Sequence, residues 1–187
     1  MENELGHVDD LSVQFRAILA DNNFAIDPFS ETIMRTLHAT PWKIPEEELN
    51  GDRLDWRDNI RTFTIDTSNG DGVLDNAISI QRKTDSVFEV GFHVADISAF
   101  VKPQSHMDKE AKARATSIYL YESAPLWPEQ LLHECTNLTP GADRLAFSVV
   151  GKMDQYGKVL DIWYGRTIIR YREMLLVYLI FVECVSI

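Results

Sequence analysis

The sequence predicts an α+β domain, built on an antiparallel or mixed sheet with one clear helix packed on it. Three observations carry that prediction. Apolar and polar residues alternate with period two in three short segments between Arg61 and Ala95. Two longer β-rich segments, Leu145 to Met153 and Lys158 to Ile169, flank DQYG, a hairpin signal. Between the two groups lies Met107 to Ser117, the best helix of the chain. Its Asp108 and Glu110 come early and its Lys112 and Arg114 late, the order that a helix dipole favours.

Taken in order, residues 1–60 read as an arm or connector. Leu11, Phe15, Ile18 and Leu19 recur at helical spacing, which predicts a short amphipathic helix over Leu11 to Ala20. Ser30 is a good N-cap for a second helix carrying Ile33, Met34 and Leu37 on one face. Pro41 and Pro45 then stop helix and favour an extended path, with Trp42 and Ile44 to anchor it. The charged run Gly51 to Asp58 reads as a solvated turn or short helix. Strands follow at Arg61 to Asp66, Ala77 to Lys83 and Val87 to Ala95, the last two joined by a turn at TDS. Phe100 to Ser105 is loop. After the helix, Pro125 and Pro128 make the chain irregular around Trp127, and Gln130 to Glu134 forms a helical turn before the two long strands. The segment Met174 to Ile187 is nearly all apolar but contains Glu183, and it is short of the ~20 residues that a membrane span needs. A buried strand, an uncovered sticky tail or a frame-altered end suits it better than a membrane anchor.

With 187 residues, 45% of them hydrophobic, the chain is long enough for one domain with a sizeable core. Its formal charge of −11 argues against bulk electrostatic attraction to nucleic acid or to anionic membrane, though not against a local basic groove. Cys135 and Cys184 give no disulfide framework, so a reducing compartment, cytosolic or nuclear, is expected. No apolar signal region opens the sequence.

The stretch with chemistry in it is FTIDTSNGDGVLDNAIS, Phe63 to Ser79. Asp66, Asp71, Asp75 and Asn76 fall within eleven positions, between apolar segments. Like charges a few Å apart repel by ~1 kcal/mol per pair in water and by several-fold more when partly buried. Hard cations with oxygen ligands, Mg2+ above all, relieve that strain. Composition alone equally permits a polar loop, because Ser68, Asn69, Gly70, Asp71 and Gly72 are turn formers. A calcium loop fits worse. Asn69, Asp71 and Gly72 suit its third, fifth and sixth positions, but Thr67 and Ile78 stand where its first and last ligands belong, and strands flank it.

Longer motifs add a third reading. FTID, LDNAISI, VGFHVADISAFVKP, MDKEAKARATSIYL, LTPGADRLAFSVV and DIWYGRTIIR occur in one order. Together they resemble the RNB catalytic domain of the RNase II/RNase R exoribonucleases. The approach TPWKIPEEEL and RLDWRD is similar to that of the eukaryotic, exosome-independent, suppressor-of-varicose branch. The resemblance runs from about Phe24 to Arg170 and stops there. It implies an arm at 1–60, the N-terminal half of an RNB domain at 61–170, and a divergent tail at 171–187, with the C-terminal half of the domain missing.

The resemblance further implies removal of nucleotides from the 3′ end of single-stranded RNA, with Mg2+ held by four aspartates in the signature D-P-x-x-A-x-D-x-D-D-A. On this sequence Asp66 matches the first aspartate, Asp75 the third, Asn76 the fourth and Ala77 the closing alanine. Asp66, Asp75 and Asn76 are therefore the implied catalytic positions. The spacing from Asp66 to Asp75 holds one residue too many. Asp71 is the candidate for the second ligand, since Val73 cannot ligate, and Thr67 replaces the proline. In chemistry dominated by electrostatic stabilisation, one lost group commonly costs ~10²–10³ in rate. Impaired catalysis is the expectation, with a non-catalytic RNA-binding relative or a non-functional interaction fragment as alternatives. Tyr119 matches a tyrosine that packs on the terminal nucleotide. Arg114 and Arg144 are candidates for phosphate contact or for ion pairs. His93 and Asp96 read as structural, and Cys135 has no partner that would make it a nucleophile.

Overall fold

A computed structural model describes residues 5–24, 27–37, 41–66, 74–120 and 123–176, with the side chains of 65–66 and 173–176 outside that description. The chain divides into two compact units, Met1–His38 with Val101–Leu132, and Ala39–Phe100 with His133–Ile187.

The first unit holds helices α1 (Leu11–Asp21) and α2 (Glu31–Met34). Each starts at a side-chain cap. Asp10 accepts from the Ser12 N–H, and Ser30 accepts from the Ile33 N–H. Helix α4 (His106–Arg114), capped by Ser105, belongs to the same unit, as do the short strands β5 (Ile118–Tyr119) and β6 (Ser123–Ala124) and the helical turn α5 (Glu129–Leu131). In its last turn α4 buries Arg114. That guanidinium lies over the Phe29 ring at 4.0 Å and donates to the backbone carbonyls of Asp27 and Pro125 and to Glu110.

The second unit is a mixed sheet. Its strands are β1 (Leu54–Asp55), β2 (Thr62–Asp66), β3 (Asn76–Arg82), β4 (Val87–Ala95), β7 (Asp143–Asp154) and β8 (Val159–Leu176), preceded by the helical turn α3 (Glu46–Leu49). The order is β1-β8-β2-β3-β4-β7, and β7 also pairs with β8. The sheet therefore closes on itself. The first half of β8 runs antiparallel to β7, and its end runs parallel to β2. A strand of 18 residues does both. The alternation of β3 and β4 places Ala77, Ser79, Gly91 and His93 inward. The core gathers Ala77, Leu138, Ala146, Ile169 and Tyr171, with Leu74 packed against it.

The segment expected as a solvated turn differs most. Arg53 is buried at 7% exposure, because Asp96 waits 43 residues later with an oxygen 2.6 Å from Nη2. Glu48 also pairs with Arg53, and the carbonyls of Ala146 and Thr167 accept from it. The last strand also runs past its expected end at Ile169. Thr62 to Asp66 give Tyr171 to Leu176 a partner that is distant in sequence.

Candidate functional site

Strand β2 ends at Asp66, and β3 begins at Asn76. The two strands are antiparallel neighbours, with Thr62 opposite Ser79 and Phe63 opposite Ile78. The pairing thus brings the ends of the acidic segment to the same end of the sheet. Asp71 lies outside the described residues, and so does the side chain of Asp66.

Both ends are anchored from below. On the β2 side, Thr64 and Tyr171 are fully buried and share a hydrogen bond of 2.8 Å between their hydroxyls. On the β3 side, the Asp75 carbonyl accepts from the Ala95 N–H at 2.8 Å. Leu74 donates its N–H to Asn137 Oδ1 at 2.9 Å and accepts from the Leu138 N–H at 2.8 Å.

Asp75 and Asn76 are exposed. Asn76 Nδ2 donates to Asp75 Oδ1 at 2.7 Å. An ionised carboxylate only accepts, so the amide must turn its NH2 toward it. A Mg2+ site asks the opposite of the fourth ligand, an oxygen aimed at the point where the ion sits. Asn76 offers an N–H instead and adds no negative charge. The described part of the site therefore does not fit Mg2+ as four converging aspartates would. Among the described residues, no group of three His, Cys, Asp or Glu side chains is placed to hold a metal.

The other candidates fall as follows. Tyr119 is 74% exposed on β5. Arg114 is engaged within the first unit as described. Arg144 is buried at 8% exposure. It donates through Nε to the Asn137 carbonyl at 2.8 Å, through Nη1 to the Asp143 carbonyl at 3.0 Å and through Nη2 to Thr139 Oγ1 at 3.3 Å. Burial draws its pKa below the ordinary arginine value. His93 is fully buried between Ser148 Oγ at 2.7 Å and Ser79 Oγ at 2.9 Å. Burial lowers its pKa to about 4, so the ring is neutral at pH 7. Asp96 is buried with Arg53, Ser98 and, at 3.8 Å, Arg166 around it. Burial alone would raise its pKa, but the Ser98 hydroxyl and the Arg53 guanidinium outweigh that and hold it low. Burial pushes the Cys135 thiol up to about 11, which leaves it protonated and inert. Sequence reading missed Asn137. Its one signal was an Asn opening a Leu-Thr-Pro-Gly turn.

A family model described as RNB domain matches residues 53–177. A DIS3-like exonuclease 2 of Arabidopsis thaliana is 42% identical over 166 residues, 88% of this chain and 16% of that protein. An Arabidopsis thaliana protein named inactive exonuclease DIS3L2 matches with the same figures. The chain thus spans about a sixth of the length of these curated relatives. Among solved structures, Mycoplasma genitalium RNase R in complex with ribose methylated single-stranded RNA superimposes with a TM-score of 0.84 at 23% identity, over 96% of this chain and 27% of that one. Yeast Ssd1, a pseudonuclease, does so with a TM-score of 0.78 at 24% identity, over 94% and 22%.

Proposed function

The chain belongs to the RNB domain family, and on that premise we propose that it is an exoribonuclease-type protein acting on single-stranded RNA, with 3′-to-5′ hydrolysis strongly impaired. In the family chemistry a bound Mg2+ would supply an activated water and charge stabilisation at the leaving oxygen. Asp66, Asp71, Asp75 and Asn76 are the positions that would face it here. The observation that carries the impairment is the Asn76 amide donating into Asp75. That hydrogen bond gives Asp75 a neutral partner in the place where a cation is needed.

RNA contact in this reading falls first to Tyr119, whose exposed ring suits base stacking worth ~1–3 kcal/mol without sequence preference. Arg114 and Arg144 brace the fold, since their guanidiniums are engaged with acceptors of the protein itself. A second reading, an RNA-binding relative with no hydrolysis at all, is favoured by the relative named as inactive and the structural neighbour named as a pseudonuclease.

Labelled single-stranded RNA titrated with the full chain in Mg2+, with anisotropy and fragment size read together, separates these. Saturable binding with slow or undetectable shortening is expected. Steady release of nucleoside monophosphates that Asp75→Ala abolishes would sink the impairment. Neither binding nor release would sink both readings and leave an interaction fragment.

A further inference from the structure

Asp75 sits where a loop becomes a strand, so its side chain takes its direction from the backbone on either side. Its own carbonyl is held by Ala95. The preceding residue is held twice, and both bonds come from one turn outside the strand, through Asn137 Oδ1 and the Leu138 N–H. One of these bonds comes from a side chain, so residue type matters at that point. Leu138 is 1% exposed within the core cluster, and Leu74 packs against that cluster.

Asn137 is itself held. Its carbonyl accepts from Arg144 Nε at 2.8 Å and from the Thr139 N–H at 3.0 Å. The same guanidinium reaches Thr139 Oγ1 and the Asp143 carbonyl. A rigid planar fork sets three acceptors at once, whereas a lysine ammonium would set one point.

We infer that Asn137, braced by Arg144, is a positioning residue that fixes how Asp75 presents its carboxylate. This rests on the reading of Asp75 as part of the metal site. The neighbouring Asn76 amide is a built-in reporter, because it is hydrogen-bonded to that carboxylate.

The test uses the nitrogen-15-labelled full chain. Asn137→Ala is expected to speed exchange of the Leu74 amide about tenfold, the loss of about one net hydrogen bond, and to move the Asn76 side-chain amide signals toward those of a free amide. Asn137→Asp keeps the acceptor and leaves both near wild type. Val150→Ala, a core truncation, lowers stability without moving the Asn76 signals. Should Asn137→Ala not fold, Arg144→Lys is read the same way. Faster Leu74 exchange with unmoved Asn76 signals overturns the inference. A second arm places Asn137→Ala in an Asn76→Asp background and titrates Mn2+. Binding weakened about tenfold supports the inference, and binding left unchanged overturns it. If Asn76→Asp binds no Mn2+ at all, the metal reading fails, and the amide signals alone decide the positioning role.

Discussion

Two aspartates at neighbouring strand ends make the most informative comparison in this chain. Asp96 follows β4, and Asp75 precedes β3, with the Ala95 N–H donating to the Asp75 carbonyl between them. Asp96 is buried and surrounded by Arg53, Ser98 and Arg166. Asp75 is exposed, and among the described residues its side chain accepts from the neutral Asn76 amide. A buried carboxylate needs its counter-charge supplied by the fold. An exposed one need not have it, and in a metal site it should not, because the cation takes that place. In the proposed reading an amide takes that place at Asp75. The same side chain is thus a buried anchor in one spot and an exposed group bonded to a neutral amide in the other, which in the proposed reading is what remains of a metal site.

Substitutions sharpen that contrast. The largest effect is expected at Asp96. Asp96→Asn leaves the Arg53 cation buried with half its pairing, and unfolding in urea should show a loss of about 3 kcal/mol or more. Acid should act next and in two windows. His93 has a folded pKa of about 4, below its unfolded value, so unfolding takes up a proton as pH falls. The stability it contributes is present above pH ~6.5 and is lost between there and about 4, a change of ~3 kcal/mol. Asp96, also depressed, contributes stability above its unfolded pKa of ~3.9, and this is lost as pH falls through its lower folded value. A single transition below pH 4 in thermal melts would contradict the neutral buried histidine.

Gly91→Ala comes third. A Cβ there would lie 2.4 Å from Ser79 Oγ and 2.7 Å from His93 Nε2, so the buried hydrogen-bonded chain must shift. A loss of ~1–3 kcal/mol is expected, with a higher His93 pKa by NMR as water gains access. The smallest effect belongs to Asp75. Asp75→Ala should change stability by less than ~0.5 kcal/mol, because an exposed carboxylate bonded to a neighbouring amide holds little in place. A cost comparable to that of Asp96→Asn would erase the distinction between the two.

The residues show why some of this was readable in sequence and some was not. Strand β4 spans Val87–Ala95 as its alternation predicts, because period two records which side of a sheet is buried. Ser30 marks a helix start because capping is local, and the apolar spacing from Leu11 to Leu19 marks the other because helical periodicity is local too. Strand β8 outruns its prediction because the partner of Tyr171 to Leu176 lies more than a hundred residues earlier. Arg53 reads as surface because its partner Asp96 lies 43 residues later in sequence. Arg144 reads as a phosphate contact or an ion pair, but its partners are backbone carbonyls and a hydroxyl, groups that every residue or many residues carry. At the acidic segment, Asn76 in place of an aspartate was visible as a letter. That its amide turns onto Asp75 required the geometry.

Calorimetric titration of Mg2+ into the full chain and into its Asn76→Asp variant tests most directly whether the amide stands where the cation should. No saturable binding is expected for the chain with Asn76, and binding in the millimolar range or tighter for Asn76→Asp. Saturable Mg2+ binding by the chain with Asn76, lost on Asp75→Ala, would show that the site holds its metal despite the amide and would contradict the impairment at its root.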